Sequence, residues 1–297
     1  MQPTARSLTL DLLSTIRRGS MPVRALVAAA ELFDIEENSV RVNLARLLAA
    51  GSIERDERGR YRLARTETAL KQQVLGWRDI ERRVVEHWTG DFVAVIAAPT
   101  GRRGAGRLSA RALELLGFRM LRPGLHVRPD NLEGSVDGIR TRYAGLCDSP
   151  TRDAVGAASQ PPIVARLSCV TELDTEAARR LWDAESLEHE YVRLAETLAE
   201  SESRLDEIPP SEAMVESFLV GGRVLRSLNV DPLLPDPFVD AQLRRALVEQ
   251  MLRYDRLGRS KWSLFLAHHG APSSHPPSQA GLQSGLVPDA APETRIH

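Results

Sequence analysis

The chain has 297 residues, enough for two or three separately cored domains, and its 42% hydrophobic and 27% charged content is that of a globular protein. A formal net charge of −1 excludes a uniformly basic coat, so any nucleic-acid site must be a local patch. Cys147 and Cys169 have no CxxC spacing, which argues against a zinc cage or a disulfide framework. The N-terminus lacks the apolar core and cleavage site of a secretory signal, and no uncharged apolar run approaches ~20 residues. A cytoplasmic location without membrane contact is the expectation.

In chain order, Ser7–Arg17 reads as a first helix, with Leu8, Leu12, Leu13 and Ile16 sharing a face. Pro22–Leu32 reads as a second, with Pro22 near its start, where a missing N–H costs little. Phe33-Asp34-Ile35 makes a short turn. A third helix is expected over Ser39–Ala50, capped by Asn38 or Ser39 and ended at Gly51. Val40, Leu44, Leu47 and Leu48 form its apolar stripe. Ser39, Val42, Ala45 and Arg46 fall opposite, with Arg41 and Asn43 at the edges.

That outward face has the chemistry of a reading head. Arginine can donate two hydrogen bonds to guanine, asparagine can pair with adenine, and small residues let the backbone approach a major groove. Taken alone, a short helix with two arginines is more often a solvated surface helix than a reading head. Its context is a helix-turn-helix followed by a wing. Ile53, Tyr61 and Leu63 alternate with charged residues as in two half-buried strands around a turn at Asp56–Gly59. Arg58 and Arg60 place positive charge near the wing, suited to phosphate or minor-groove contact, while Arg62 stands opposite Glu54. Residues 1–65 are therefore expected to form a winged helix-turn-helix domain.

Residues 66–88 are expected to form a helical connector, with Trp77, Ile80 and Val84 packing it onto the next domain and Trp88 as a core or seam aromatic. Over residues 89–173 the order is β-α-β-β-α-β, that of a ferredoxin-like domain. Its elements are a strand at Asp91–Ala98, a helix at Ala105–Leu116, strands at Phe118–Leu121 and Leu125–Val127, a helix at Asn131–Tyr143 and a strand at Pro162–Thr171. Residues 174–267 read as a C-terminal helical domain. It comprises one long helix from Asp174 or Thr175 to about Leu205, a helix at Glu212–Leu228, a rigid proline turn at Asp231–Pro237, and a helix at Phe238–Leu257 with Trp262–Leu266 docking its end. From His268 the Ala/Pro/Ser/Gly-rich composition predicts a disordered tail, 268–297, in which His268-His269 is more plausibly solvated than metal-binding. The expected class is α+β, with the three domains in that order.

Several segments resemble, in order, the PaaX family of phenylacetate-catabolon repressors. They are Ala5-Arg6-Ser7-Leu8, Ser39-Val40-Arg41 with Ala45-Arg46-Leu47 and Gly51, Trp88-Thr89-Gly90, Leu116-Gly117-Phe118, Pro123-Gly124-Leu125-His126-Val127-Arg128-Pro129, Leu181-Trp182-Asp183 with Tyr191, and Asp231-Pro232-Leu233-Leu234-Pro235. The resemblance spans about Ala5 to Leu266. The sequence departs from it where Asp236-Pro237-Phe238-Val239-Asp240 replaces a second Leu-Pro and a Trp-Pro-Gly element, and where Phe92 stands for a tryptophan.

The resemblance implies a dimeric, ligand-responsive transcriptional regulator, most simply a repressor. Its namesake responds to phenylacetyl-CoA, so an acyl-CoA or aromatic acid is the expected effector. Arg41, Asn43 and Arg46 would approach base edges beside Val42, Ser39 would contact phosphate, and Arg58 and Arg60 would contact backbone or minor groove. Two modules on a two-fold axis would read a pseudo-palindromic operator in double-stranded DNA. Arg102, Arg103, Arg107 and Arg111 lie in or before the central helix. The pair Arg107 and Arg111 is a candidate for ligand phosphates, the plain alternative being a solvated basic face. No cofactor, metal or catalytic residue is expected. Two other readings stay open. One is a metal-dependent nuclease built on the ferredoxin-like domain, for which Asp91 is the only nearby acid. The other is a helix-turn-helix used for protein contacts alone.

Overall fold

The computed structural model of the protein describes residues 2–15, 20–56, 58–64, 76–85, 87–96, 110–147 and 162–271. It is an α+β structure with two antiparallel sheets. Its first three helices are α1 (Ala5–Thr15), α2 (Val23–Glu31) and α3 (Glu37–Ala49). Leu8, Leu12 and Leu13 of α1 share a core with Leu26 of α2 and with Val40, Leu44 and Leu47 of α3. The 3.6-residue stripes thus face one another as their spacing requires. Helix α1 starts before Ser7 because Thr4 and Ser7 cap it reciprocally. Thr4 Oγ1 accepts the Ser7 amide at 3.1 Å and Ser7 Oγ accepts the Thr4 amide at 3.0 Å.

Helix α3 also starts early. Glu36, in extended backbone, takes the N-cap position, and neither Asn38 nor Ser39 caps. Glu37 lies in the first turn, where an acidic side chain meets the positive end of the helix dipole. The turn before it passes through Asp34 at φ 57°, a left-handed conformation that Asp tolerates better than most residues. Gly51, at φ 66°, follows the helix as expected.

The first sheet has three strands, β1 (Met21–Pro22), β2 (Ile53–Arg55) and β3 (Arg60–Leu63), in the order β1-β3-β2. The hairpin pairs Ile53 with Leu63, Glu54 with Arg62 and Arg55 with Tyr61. Strand β1 was not expected. It pairs Met21 with Tyr61 and Pro22 with Arg60, so Pro22 is the end of a strand and the N-cap of α2 rather than a helical residue. A residue without an N–H is tolerated at such an edge.

The described part of the connector is two single 3-10 turns, Gly76–Asp79 and Glu81–Arg83, not a continuous helix; residues 65–75 lie outside the description. Trp77 and Ile80 are buried, and Val84 bridges to Leu132. The second sheet contains β4 (Phe92–Ile96), β5 (Arg119–Arg122), β6 (Leu125–Pro129) and β7 (Ile163–Leu167), in the order β5-β6-β4-β7. A helical segment at residues 110–115 precedes β5, and α4 (Ser135–Cys147) joins β6 to β7. Helix α4 begins four residues later than Asn131, because Gly134 and Ser135 both take positive φ. The sheet is buried on both faces. Val93 and Val95 enter one core, Phe92 and Ala94 the other, which is why β4 reads as an unbroken apolar run.

The remaining helices are α5 (Thr175–Trp182), α6 (Ala184–Arg204), α7 (Pro210–Asn229) and α8 (Ala241–His268). The single helix expected from residue 174 to 205 is two. Asp183, at φ 50° and ψ 56°, breaks it after Trp182, whose indole donates to the Gly117 carbonyl at 2.9 Å and stacks on Phe238 with 6.3 Å between ring centroids. Trp88 and Phe92 complete this aromatic group, with Phe92 6.1 Å from Phe238. The two departures from the resembled pattern therefore touch each other. Helix α8 runs unbroken through Trp262 for 28 residues, rather than ending near Leu257. His268 closes it and Ala271 is buried, so these residues are not tail; residues 272–297 lie outside the description.

The C-terminal helices complete the first core. Met214, Trp262, Leu266 and Ala271 join the cluster formed by α1, α2 and α3. Phe33, in the turn between α2 and α3, meets Phe218 edge-on at 5.2 Å and lies parallel to Trp262 at 6.5 Å. Arg24 Nε donates to the His269 carbonyl at 2.7 Å. Among the described residues no helix is long and apolar enough to cross a membrane.

Candidate nucleic-acid interface

The site is the outward face of α3 together with the β2–β3 hairpin. With Val40, Leu44 and Leu47 buried, helical periodicity forces Ser39, Arg41, Val42, Ala45 and Arg46 to the surface, and all five are exposed. Val42 keeps 40% of its surface exposed, high for an aliphatic side chain on a helix so well anchored behind. Arg46 makes no ion pair or side-chain hydrogen bond with any described residue.

Two other residues of the face are engaged locally. Arg41 pairs with Glu37 one turn earlier, Nη2 to Oε1 at 2.5 Å, in a bridge whose side chains are 57% and 52% exposed. Such a pair is worth only ~0.3–0.5 kcal/mol, so a phosphate can displace Glu37 at small cost. Asn43 is half-buried, and its Nδ2 donates to the Ser39 carbonyl at 2.8 Å. The amide is bonded to its own helix and must break that bond to reach a base edge. Glu37 was missed from sequence because the helix was expected to begin after it.

The hairpin contributes unevenly. Arg58 is exposed at the turn, with its amide donating to Asp56 Oδ1 at 3.0 Å. Arg60 is not the free cation expected. It is half-buried, its Nε donates to Ser20 Oγ at 3.0 Å, and its Nη2 donates to the Ser20 carbonyl at 2.7 Å. The cause is the unexpected strand: Pro22 pairs with Arg60 and brings Ser20 beneath the guanidinium. Asp56 completes this corner, accepting the Arg60 amide at 2.8 Å and the Ser20 hydroxyl at 2.8 Å. The Arg60 amide first, and the Ser20 hydroxyl second, hold its carboxyl below the usual carboxylate range. Arg62 pairs with Glu54 across the hairpin at 2.8 Å, as expected. Arg55, not singled out from sequence, adds an exposed cation, with its guanidinium 5.9 Å from the Tyr61 ring centre.

The ligand residues expected near the central helix are only partly visible. Arg111 is exposed, while Arg102, Arg103 and Arg107 lie outside the described residues. Asp91, on which the nuclease reading turned, uses its backbone carbonyl to accept the Trp88 indole N–H at 2.6 Å and the Asp130 amide at 2.9 Å. Among the described residues no group of three or more His, Cys, Asp or Glu side chains is arranged to hold a metal ion.

Residues 4–67, the span that carries α1 to β3, match the family model described as PaaX-like protein, consistent with a PaaX-family protein. The chain is also similar to a solved structure, an uncharacterized protein, Rv0674, from Mycobacterium tuberculosis. The TM-score is 0.57 at 21% identity, over 87% of this chain and 98% of that one. At that identity the likeness concerns the fold alone. No curated protein matches the chain.

Proposed function

From the PaaX-like match, which suggests a transcriptional regulator, we propose that the chain binds double-stranded DNA through a winged helix-turn-helix made by α1 to β3. In this reading α3 is the recognition helix and the β2–β3 hairpin the wing. The second sheet and its two helices form a ferredoxin-like domain, followed by a helical one. The observation that carries the reading is the α3 face, where exposed Arg46 and Arg41 flank Val42 and Ala45 over a tightly buried stripe. Two arginines with small neighbours suit close approach to base edges. Ser39 and Arg58 supply phosphate contacts, and Asn43 reads a base once its bond to Ser39 is exchanged.

The regulator acts as a cytoplasmic homodimer on a pseudo-palindromic operator. It is a repressor released by an acyl-CoA or aromatic-acid effector and has no enzymatic activity of its own. The test is selection of bound duplexes from a random pool, with and without an acyl-CoA, followed by salt titration of the winning site. An inverted repeat with a steep negative log–log salt slope is the expected result. Folded full-length protein that enriches no sequence under either condition would overturn the reading and favour a helix-turn-helix used for protein contacts.

A further inference from the structure

Away from α3, the seam between the second sheet and the C-terminal helices holds three arginines that make no direct ion pair with a described carboxylate, Asp130 and Glu133 acting on Arg128 and Arg142 only at longer range. Arg128 of β6 is 2% exposed. Its guanidinium is surrounded by neutral acceptors: the Leu116 carbonyl, the Pro129 carbonyl at 3.2 Å, Asn131 Oδ1 at 3.1 Å and the Pro232 carbonyl at 3.4 Å. Arg83, in the second 3-10 turn, is half-buried and makes no side-chain hydrogen bond or ion pair with a described residue. Arg142 of α4 donates from Nη2 to the Glu133 carbonyl at 3.1 Å, but its buried Nη1 has no partner among the described residues. The nearby acids are Asp130, Glu133, whose charge acts on Arg142, and Asp231, which lines a cavity in the seam. Asp130 binds Arg166 at 2.9 Å and Ser135 at 2.7 Å, and Asp231 accepts the Leu233 amide at 2.7 Å.

A cavity of about 20 Å³ lies in this seam, lined by Arg83, Arg128, Asn229 and Asp231 over the apolar floor of Trp77 and Leu116. Asn229 Oδ1 is buried there without a partner among the described residues, and an asparagine amide can present its N–H₂ instead by a flip of its side chain. Burial, with the charges of Arg142 and Arg83 behind it, pulls Arg128 down to about 9. Burial also lowers Arg83 and Arg142. Arg83 and Arg128 are destabilised by leaving water and by cationic neighbours, Arg142 by leaving water against the opposing charge of Glu133, and buried charge is ordinarily matched by a counter-charge. Water can fill a void of this size but cannot supply that charge.

We infer that this seam binds a compact monovalent anion, either a halide ion or the carboxylate of a small organic acid, held by Arg83, Arg128 and the Asn229 amide. The cavity has room for about one water-sized group, so a larger anion must reach it by a small outward shift of its lining. The anion ties the connector, the second sheet and the end of α7 together, so its occupancy sets how firmly sheet and helices are joined. This site is separate from the DNA-binding reading and stands or falls without it.

The experiment is thermal unfolding of the full chain at constant ionic strength, with a bulky sulfonate exchanged stepwise for chloride or for formate. A saturable rise in midpoint is expected, as for any ligand that binds the folded state only. The anion with the lower half-saturating concentration identifies the source. Asn229→Asp, which places a fixed carboxylate in the cavity, is expected to raise the midpoint in sulfonate and to abolish the response. Arg83→Gln is expected to raise the half-saturating concentration at least about tenfold, the loss of ~1.4 kcal/mol of binding. No saturable response in the wild type would mean a water-filled cavity and overturn the inference. So would an unchanged response in Arg83→Gln, which decides the matter should Asn229→Asp fail to fold.

Discussion

Glu37→Gln is expected to tighten DNA binding while slightly weakening the fold. The bridge to Arg41 spans 2.5 Å, but both side chains are more than half exposed, which limits it to ~0.3–0.5 kcal/mol. Glu37 also lies in the first turn of α3, where a carboxylate gains ~0.3–1 kcal/mol from the helix dipole. The variant should therefore lose about 1 kcal/mol of stability. On DNA the balance reverses. The substitution frees Arg41 without the cost of breaking the pair, about 0.5 kcal/mol. It also removes a negative charge that, at ~8 Å from a phosphate in a water-like medium, costs ~0.5 kcal/mol. Together they amount to about 1 kcal/mol, or roughly fivefold in affinity at low salt. Fluorescence anisotropy on a labelled duplex between ~0.05 and 0.2 M salt measures this directly. Equal or weaker binding by the variant would refute the placement of this face against DNA.

The other predictions concern the same face and its support. Arg46→Ala is expected to cost ~1–3 kcal/mol in binding the selected operator and to relax preference at one base position, as read by repeating the selection. Arg60→Ala should cost ~1–3 kcal/mol of stability in denaturant unfolding through the lost bonds to Ser20, yet leave the DNA salt slope unchanged, because its guanidinium is turned to Ser20. Gly117→Ala should destabilise by more than ~1 kcal/mol in the same assay: at φ 77° its Cβ would lie 2.9 Å from the Pro232 backbone. A double-mutant cycle of Phe33→Leu and Trp262→Leu should give a coupling of ~0.5–1.5 kcal/mol, and additive effects would mean that the rings do not share energy.

What the sequence disclosed follows from which forces are local. The stripe Val40, Leu44 and Leu47 is legible because helical periodicity and burial act within one segment. The β2–β3 hairpin is legible through alternation, down to the pairing of Arg62 with Glu54. Strand β1 was hidden because two residues carry no period, and with it went the reason that Arg60 turns inward. The break at Asp183 was hidden because nothing in ARRLWDAESLEHE interrupts the helical pattern. It is imposed from afar, by the bond from Trp182 to Gly117 and its stacking on Phe238. On the α3 face the periodicity placed Ser39, Arg41, Val42 and Arg46 at the surface, but not their engagements. Glu37 with Arg41, and Asn43 with Ser39, depend on where the helix begins and on side-chain geometry. The arginine seam was invisible, since Arg83, Arg128 and Asn229 are joined only by the packing of three elements.

Helix α8 turns a contact into a lever. Its 28 residues extend for about 42 Å at 1.5 Å per residue. One end is pinned beside the proline turn, where buried Arg244 donates to the Leu234 carbonyl at 2.8 Å. The other end carries Trp262 and the His269 carbonyl, which hold Phe33 and Arg24 of the first three-helix unit. A tilt of about 5° at the pinned end would sweep the far end through about 4 Å over such a length. That exceeds the tolerance of a hydrogen bond to a base edge many times over, so an angular change too small to disturb the core around Arg244 is large at the scale on which α3 would meet its target.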